Sequence, residues 1–190
     1  WDNPKVVSMP EVFTKLISDP SHRLLFGFLF IFYILVYISS SYTAPYFLAK
    51  LKFNYGQYML ALSSFLLAKV LTLPFVDAFI QRWTLKKVFV FAALGVSPLP
   101  ALWMLSSQLW WICLLQGLSG VFWGTFEVCL ALIFFGQLNQ DEKIPVLTFF
   151  NLFSSTAMIA GTLIGGQILA IYHEDVGGYY FIFIVSAMAR

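Results

Sequence analysis

Residues 24–44 read LLFGFLFIFYILVYISSSYTA, twenty-one side chains without a charge. As a helix, such a run spans a hydrocarbon core of ~30 Å, whereas a water-soluble surface helix of that length would keep one charged or polar face. Four further runs follow. Residues 58–78 carry only Lys69 and Asp77, 88–107 carry no charge, 109–136 carry only Glu127, and 145–172 carry none. The last two would be ~42 Å long as helices, so they are expected to tilt or protrude. A sixth run, 179–190, reaches only ~17 Å before Arg190 and reads as a truncated span. Helix is the expected state throughout. Strands exposed to lipid leave backbone groups unpaired, and the alternation of a membrane barrel is absent. The expected fold is an all-α polytopic membrane protein.

Composition agrees. The chain is 60% hydrophobic and 11% charged, with a mean hydropathy of +0.83; soluble domains hold roughly 45–50% and 25%. Aromatic residues at 19% exclude low-complexity disorder. A net charge of +2 spread along the chain gives no nucleic-acid footprint. Cys113 and Cys129 would sit ~24 Å apart on one helix, out of disulfide reach. No cofactor motif or metal-ligand spacing is present, so no cofactor is expected.

Residues 1–23 read as a cytoplasmic linker. Val6, Val7, Met9, Val12, Phe13, Leu16 and Ile17 suggest a short amphipathic surface helix over 5–18, and Asp19-Pro20-Ser21 a capped start to the first span. The polar start, Trp1-Asp2-Asn3-Pro4, is no signal peptide, and the chain stops within an apolar run. Both ends read as cut from something longer. Lys5, Lys15, Arg23, Arg82, Lys86, Lys87 and Lys143 fall on one side of the membrane, against Lys50 and Lys52 on the other. The basic side is expected to be cytoplasmic, so the first residue lies there, in an inner or plasma membrane.

Between the second and third spans stand Asp77-Ala-Phe-Ile-Gln81-Arg82-Trp83-Thr84-Leu85-Lys86-Lys87. This segment resembles the cytoplasmic signature loop of the major facilitator superfamily: Gly, three residues, Asp, Arg or Lys, any, Gly, any, then two basic residues. Arg82, Lys86 and Lys87 match in place. Asp77 and Thr84 stand where the family has Gly, and Gln81 where it has Asp. Pro74 at the end of the second span, the start Asp19-Pro20-Ser21-His22-Arg23, and Gly161-Thr-Leu-Ile-Gly165-Gly166 are similar to family features as well. The resemblance implies the C-terminal six-helix half of such a bundle, helices seven to twelve. It also implies a partner N-terminal half outside this sequence, a small-molecule substrate, and transport by alternating access.

Charges inside a bilayer are costly, which makes Lys69 and Glu127 the sharpest signals. Their expected depths differ by ~5 Å, within reach of a lysine stem. They are expected to form a proton-titratable pair beside a substrate pathway or a fixed structural pair, or Lys69 lies in water at a crevice. Gln116, Gly120, Trp123 and Glu127 share one helical stripe. That stripe suits a cavity wall, with Trp123 shaping the substrate and Gln116 donating hydrogen bonds, or glycine-mediated packing through Gly117, Gly120 and Gly124. Tyr33, Tyr37, Ser40, Ser41 and Ala44 share a face of the first span, as cavity lining or interhelical hydrogen bonds; Tyr42 and Tyr46 read as interfacial. Asn151, Ser155, Met158 and Thr162 share a face of the fifth span, beside the packing strip Ala157, Gly161 and Gly165. Asp77 is expected to pair with Arg82 or a helix N-terminus. The third span, with Ser97, Pro98 and Pro100, reads as a kinked outer helix.

A proton-coupled secondary transporter is the leading expectation, with protons and the bilayer as further partners. A channel, receptor or scaffold is the alternative. An enzyme is not expected: His22 and His173 lie outside the spans, and the membrane acids do not cluster.

Overall fold

The computed structural model describes residues 20–136, 140–172 and 175–190. The expected surface helix over 5–18, the capping role of Asp19, and the positions of Lys5, Lys15, His173 and Glu174 lie outside these, as does the side chain of Lys143. The described order is α1 (Pro20–Ser40), α2 (Thr43–Pro45), a π-helical turn (Tyr46–Lys50), α3 (Tyr55–Trp83), α4 (Leu85–Val96), α5 (Leu99–Leu102), α6 (Leu109–Phe135), α7 (Gln140–Ile171) and α8 (Val176–Ala189). No strand occurs among the described residues. Five helical stretches are long and apolar enough to cross a membrane: Arg23–Lys50, Tyr55–Trp83, Leu85–Leu102, Leu109–Phe134 and Ile144–Ile171. The sixth apolar helix, Val176–Ala189, is shorter.

Two spans depart from the sequence reading. The first span continues past Ala44 to Lys50. It breaks only at Ser41-Tyr42, where Pro45 removes the N–H that would bond Ser41, and resumes through a π turn closed by Leu51 N–H on the Tyr46 carbonyl. Tyr46 is correspondingly buried among Phe47, Tyr179 and Phe183 instead of standing at an interface. Asn54 then starts α3 with a capping box, its side chain accepting from Gln57 N–H while the Gln57 side chain accepts from Asn54 N–H.

The third span is the other departure. It breaks at Ser97-Pro98, as the prolines suggested, but it is no outer helix. Val88, Phe89, Ala92, Ala93 and Val96 are buried, and α4 lies along α6. Small side chains allow this approach: a Cβ on Gly95 would overlap the Phe122 ring.

Two helix pairs dominate the packing, α3 on α6 and α1 on α7. Each is seated on glycines. A Cβ on Gly120 would overlap the Phe65 carbonyl and lie 2.9 Å from Lys69 N. A Cβ on Gly161 would overlap the Ile34 carbonyl, and one on Gly165 that of Ile38. Without side chains there, the backbones come close enough for dispersion and short polar contacts to hold helices that gain nothing from hydrophobic association in lipid. A core of Leu29, Phe32, Val36, Val76, Phe89 and Phe126 joins α1 to α3, α4 and α6, with Phe126 stacked between Phe32 and Phe89. Outward faces are apolar: Leu66, Leu67, Val70 and Phe75 on α3 are exposed, as suits a lipid solvent.

Candidate functional site

Lys69 and Glu127 meet. Lys69 Nζ lies 2.6 Å from Glu127 Oε2 and donates to Oε1 at 2.8 Å. The α3–α6 seat explains why: Gly120 and Gly124 press α6 against the backbone of Lys69 itself, a Cβ on Gly124 lying 3.1 Å from Lys69 O. From that origin the lysine stem needs only one α6 turn to reach the carboxylate. The side chains are 28% and 48% exposed, so the pair is accessible within a chamber.

That chamber has a volume of about 540 Å³, and its wall draws on α1, α3, the α4–α5 break, α6, α7 and the end of α8. Tyr33, Tyr37, Gln116 and Trp123 line it beside Lys69 and Glu127. The stripe Gln116, Gly120, Trp123, Glu127 divides by residue. Its side chains face the chamber, while Gly120 makes the helix contact. Cavity lining and close packing thus coexist on one helix face. The α1 stripe divides similarly. Tyr33, Tyr37, Ser40 and Ala44 line the chamber, whereas Ser41 shares a 2.7 Å hydrogen bond with the Thr162 hydroxyl. Tyr42 donates to the Thr162 carbonyl at 2.7 Å. Glu127 and Tyr33 also border a smaller apolar cavity of about 260 Å³, walled by Phe134, Val146 and Phe150.

Asn151 and Ser155 are exposed and do not line the chamber. Ser154 and Met158 do. Met158 belongs to the expected face, but Ser154, on the adjoining strip, takes the place of Ser155, because a helix with polar and small residues on neighbouring strips leaves its phase open.

The signature segment is not a loop. Asp77 through Trp83 complete α3, and Thr84 alone separates it from α4. No glycine interrupts residues 77–87, so the helix runs on. Asp77 accepts from Gln81 Nε2 at 2.7 Å, one turn ahead, instead of meeting Arg82. Arg82, Lys86 and Lys87 are exposed. Thr84, where the family has glycine, sits at φ 75° and ψ 144°, a region β-branched residues rarely adopt.

Among the chamber residues that escaped the sequence reading, Arg190 carries a charge. Arg190 ends the apolar run that begins at Tyr179, and its guanidinium reaches the wall. Nη2 donates to Ser39 Oγ and Ser186 Oγ at 2.7 Å each and to the Val36 carbonyl at 3.1 Å. Nη1 reaches the Val96 carbonyl at 3.4 Å. That carbonyl is an orphan, because the residue four positions on is Pro100. A charge at the end of a greasy run was the available signal.

Membrane-length helices around a chamber that holds an ion pair define a polytopic membrane protein. A family model of the Major Facilitator Superfamily matches residues 24–189. The chain belongs to that superfamily of membrane transporters. Comparison with curated proteins and with solved structures gives no match.

Proposed function

We propose that this chain supplies the C-terminal six-helix half of a proton-coupled secondary carrier of a small solute, working by alternating access with its first residues in the cytoplasm. The observation that carries the reading is the Lys69–Glu127 pair opening onto a chamber of about 540 Å³. Removing either partner from such a pair leaves a charge unmatched, so a proton and an ammonium group compete for one carboxylate. Protonation of Glu127 releases Lys69 to the chamber, and deprotonation recaptures it. Loading of the solute is thereby linked to the proton. Tyr33, Tyr37, Trp123 and Gln116 line the same chamber. An N-terminal half would close the other side, the two halves rocking about a site between them. Arg82, Lys86 and Lys87 would face the cytoplasm.

Reconstitution of the full-length carrier in proteoliposomes tests this. Glu127→Gln is expected to abolish accumulation driven by a proton gradient while counterflow exchange of the same solute continues. Gradient-driven uptake unchanged in that variant overturns the coupling role. Flux without saturation or counterflow would identify a channel instead.

A further inference from the structure

We infer that the solute carried in this chamber is an organic anion, a carboxylate or phosphate ester with an apolar or aromatic body, and that Arg190 is its charge-selecting residue. The inference deepens the carrier reading and rests on it.

Among the described residues the wall holds one acid and two bases. Glu127 is taken by Lys69, and the hydrogen-bond partners of Arg190 are two hydroxyls and two backbone carbonyls, all neutral. Among the described residues no carboxylate meets the guanidinium. Its capacity is also unfilled. A guanidinium has five N–H donors, and Arg190 Nε is buried without an acceptor. Among the described residues Trp103 Nε1, on the same wall, is the other buried side-chain donor lacking one. An uncompensated cation in a low-dielectric bundle is costly, and buried arginines are ordinarily paired. A carboxylate or phosphate would supply the missing charge through charge-assisted hydrogen bonds of the kind arginine forms best. Tyr33, Tyr37, Tyr58, Phe65 and Trp123 offer surfaces for an apolar body. The structural bonds of Arg190 serve this role: they tie α1, α4 and α8 around the head group and fix its direction.

Glu127 sets the strength of the field. Among the described residues the titratable or charged groups lining the chamber with it are Lys69 from α3, Tyr33 and Tyr37 from α1, Tyr58 from α3 and Arg190 after α8; those that α4, α5 and α7 contribute are uncharged. When Glu127 is protonated, Lys69 joins Arg190 as a second free cation. Anion and proton are then bound together.

The test uses the purified full-length carrier and four probes of similar shape: benzoate, phenyl phosphate, benzamide and benzylammonium, at constant ionic strength, read as thermal-shift titrations. One of the two anions is expected to stabilise the protein at concentrations where benzamide and benzylammonium do not; which anion does so distinguishes carboxylate from phosphate recognition. Arg190→Gln should weaken that binding roughly tenfold or more. Arg190→Lys, which keeps the charge, should retain the preference for anions if the glutamine variant is too unstable to assay. Glu127→Gln should tighten anion binding several-fold, since Lys69 is released. Equal response to benzamide, an unchanged charge preference in Arg190→Gln, or indifference of the wild type to both anions (as when an acid elsewhere in the full chain pairs with Arg190) overturns the inference. Anion binding without counterflow flux would instead sink the carrier reading and leave the binding assignment standing.

Discussion

The α3–α6 and α1–α7 pairs are built by the same device and hold different chemistry. In both, glycines of a later helix receive backbone carbonyls of an earlier one: Phe65 above Gly120, Ile34 above Gly161, Ile38 above Gly165. Around the α1–α7 seat the polar contacts are hydroxyls, Ser41 with Thr162 and Tyr42 with the Thr162 carbonyl. Around the α3–α6 seat stands an ion pair. Close approach is therefore a general solution to helix association in lipid, while a chemical role depends on what stands one turn away from the seat. Hydroxyl contacts of modest strength hold a joint. An ion pair beside a chamber is what the proposed proton coupling would use.

Attacking the seats should have the largest effect. Gly120→Leu drives a side chain into the Phe65 carbonyl and is expected to cost ~3 kcal/mol or more, seen as loss of monodisperse protein on gel filtration. Gly117→Ala, with nothing within 4 Å of the new carbon, should leave the protein intact. Similar losses in both variants would break the idea of a specific seat.

The ion pair comes next. Lys69→Gln is expected to abolish gradient-driven accumulation as completely as Glu127→Gln does, and the double variant should be no worse than either single one. Additive defects would mean that the two residues act separately.

These residues also show how far the sequence could be read. Lys69 and Glu127 were legible because a charge in a long apolar run stands out against its surroundings, and the glycine strips were legible through their spacing. Arg190 was missed for the converse reason, since it stood at the edge of such a run. Asn151 and Ser155 were chosen over Ser154 because helical periodicity gives relative faces but not the absolute direction of the bundle axis. The extension of the first span to Lys50 was hidden by Ser39-Ser40-Ser41 and Pro45, which read as an ending. Tyr46 and Phe47 are buried beyond that break, and burial by distant helices leaves no local trace.

A smaller change should help the protein. Thr84→Gly removes a side chain from a backbone conformation suited to glycine and is expected to raise stability by ~1 kcal/mol, measured as an upward shift of the thermal midpoint. Thr162→Val should have the smallest effect, a loss of ~0.6 kcal/mol from the Ser41 contact, with transport retained. A transport defect there would show that the α1–α7 joint does more than hold.

Thr84 has a mechanical consequence as well. A rod of 29 residues is ~43 Å long, and only one residue links its end to the next rod. Swinging the first rod by 10° about that knuckle carries its far tip ~7 Å while Lys69, roughly halfway along, moves about half as far. A change of angle at this single residue is magnified into a distance comparable to the length of a lysine side chain.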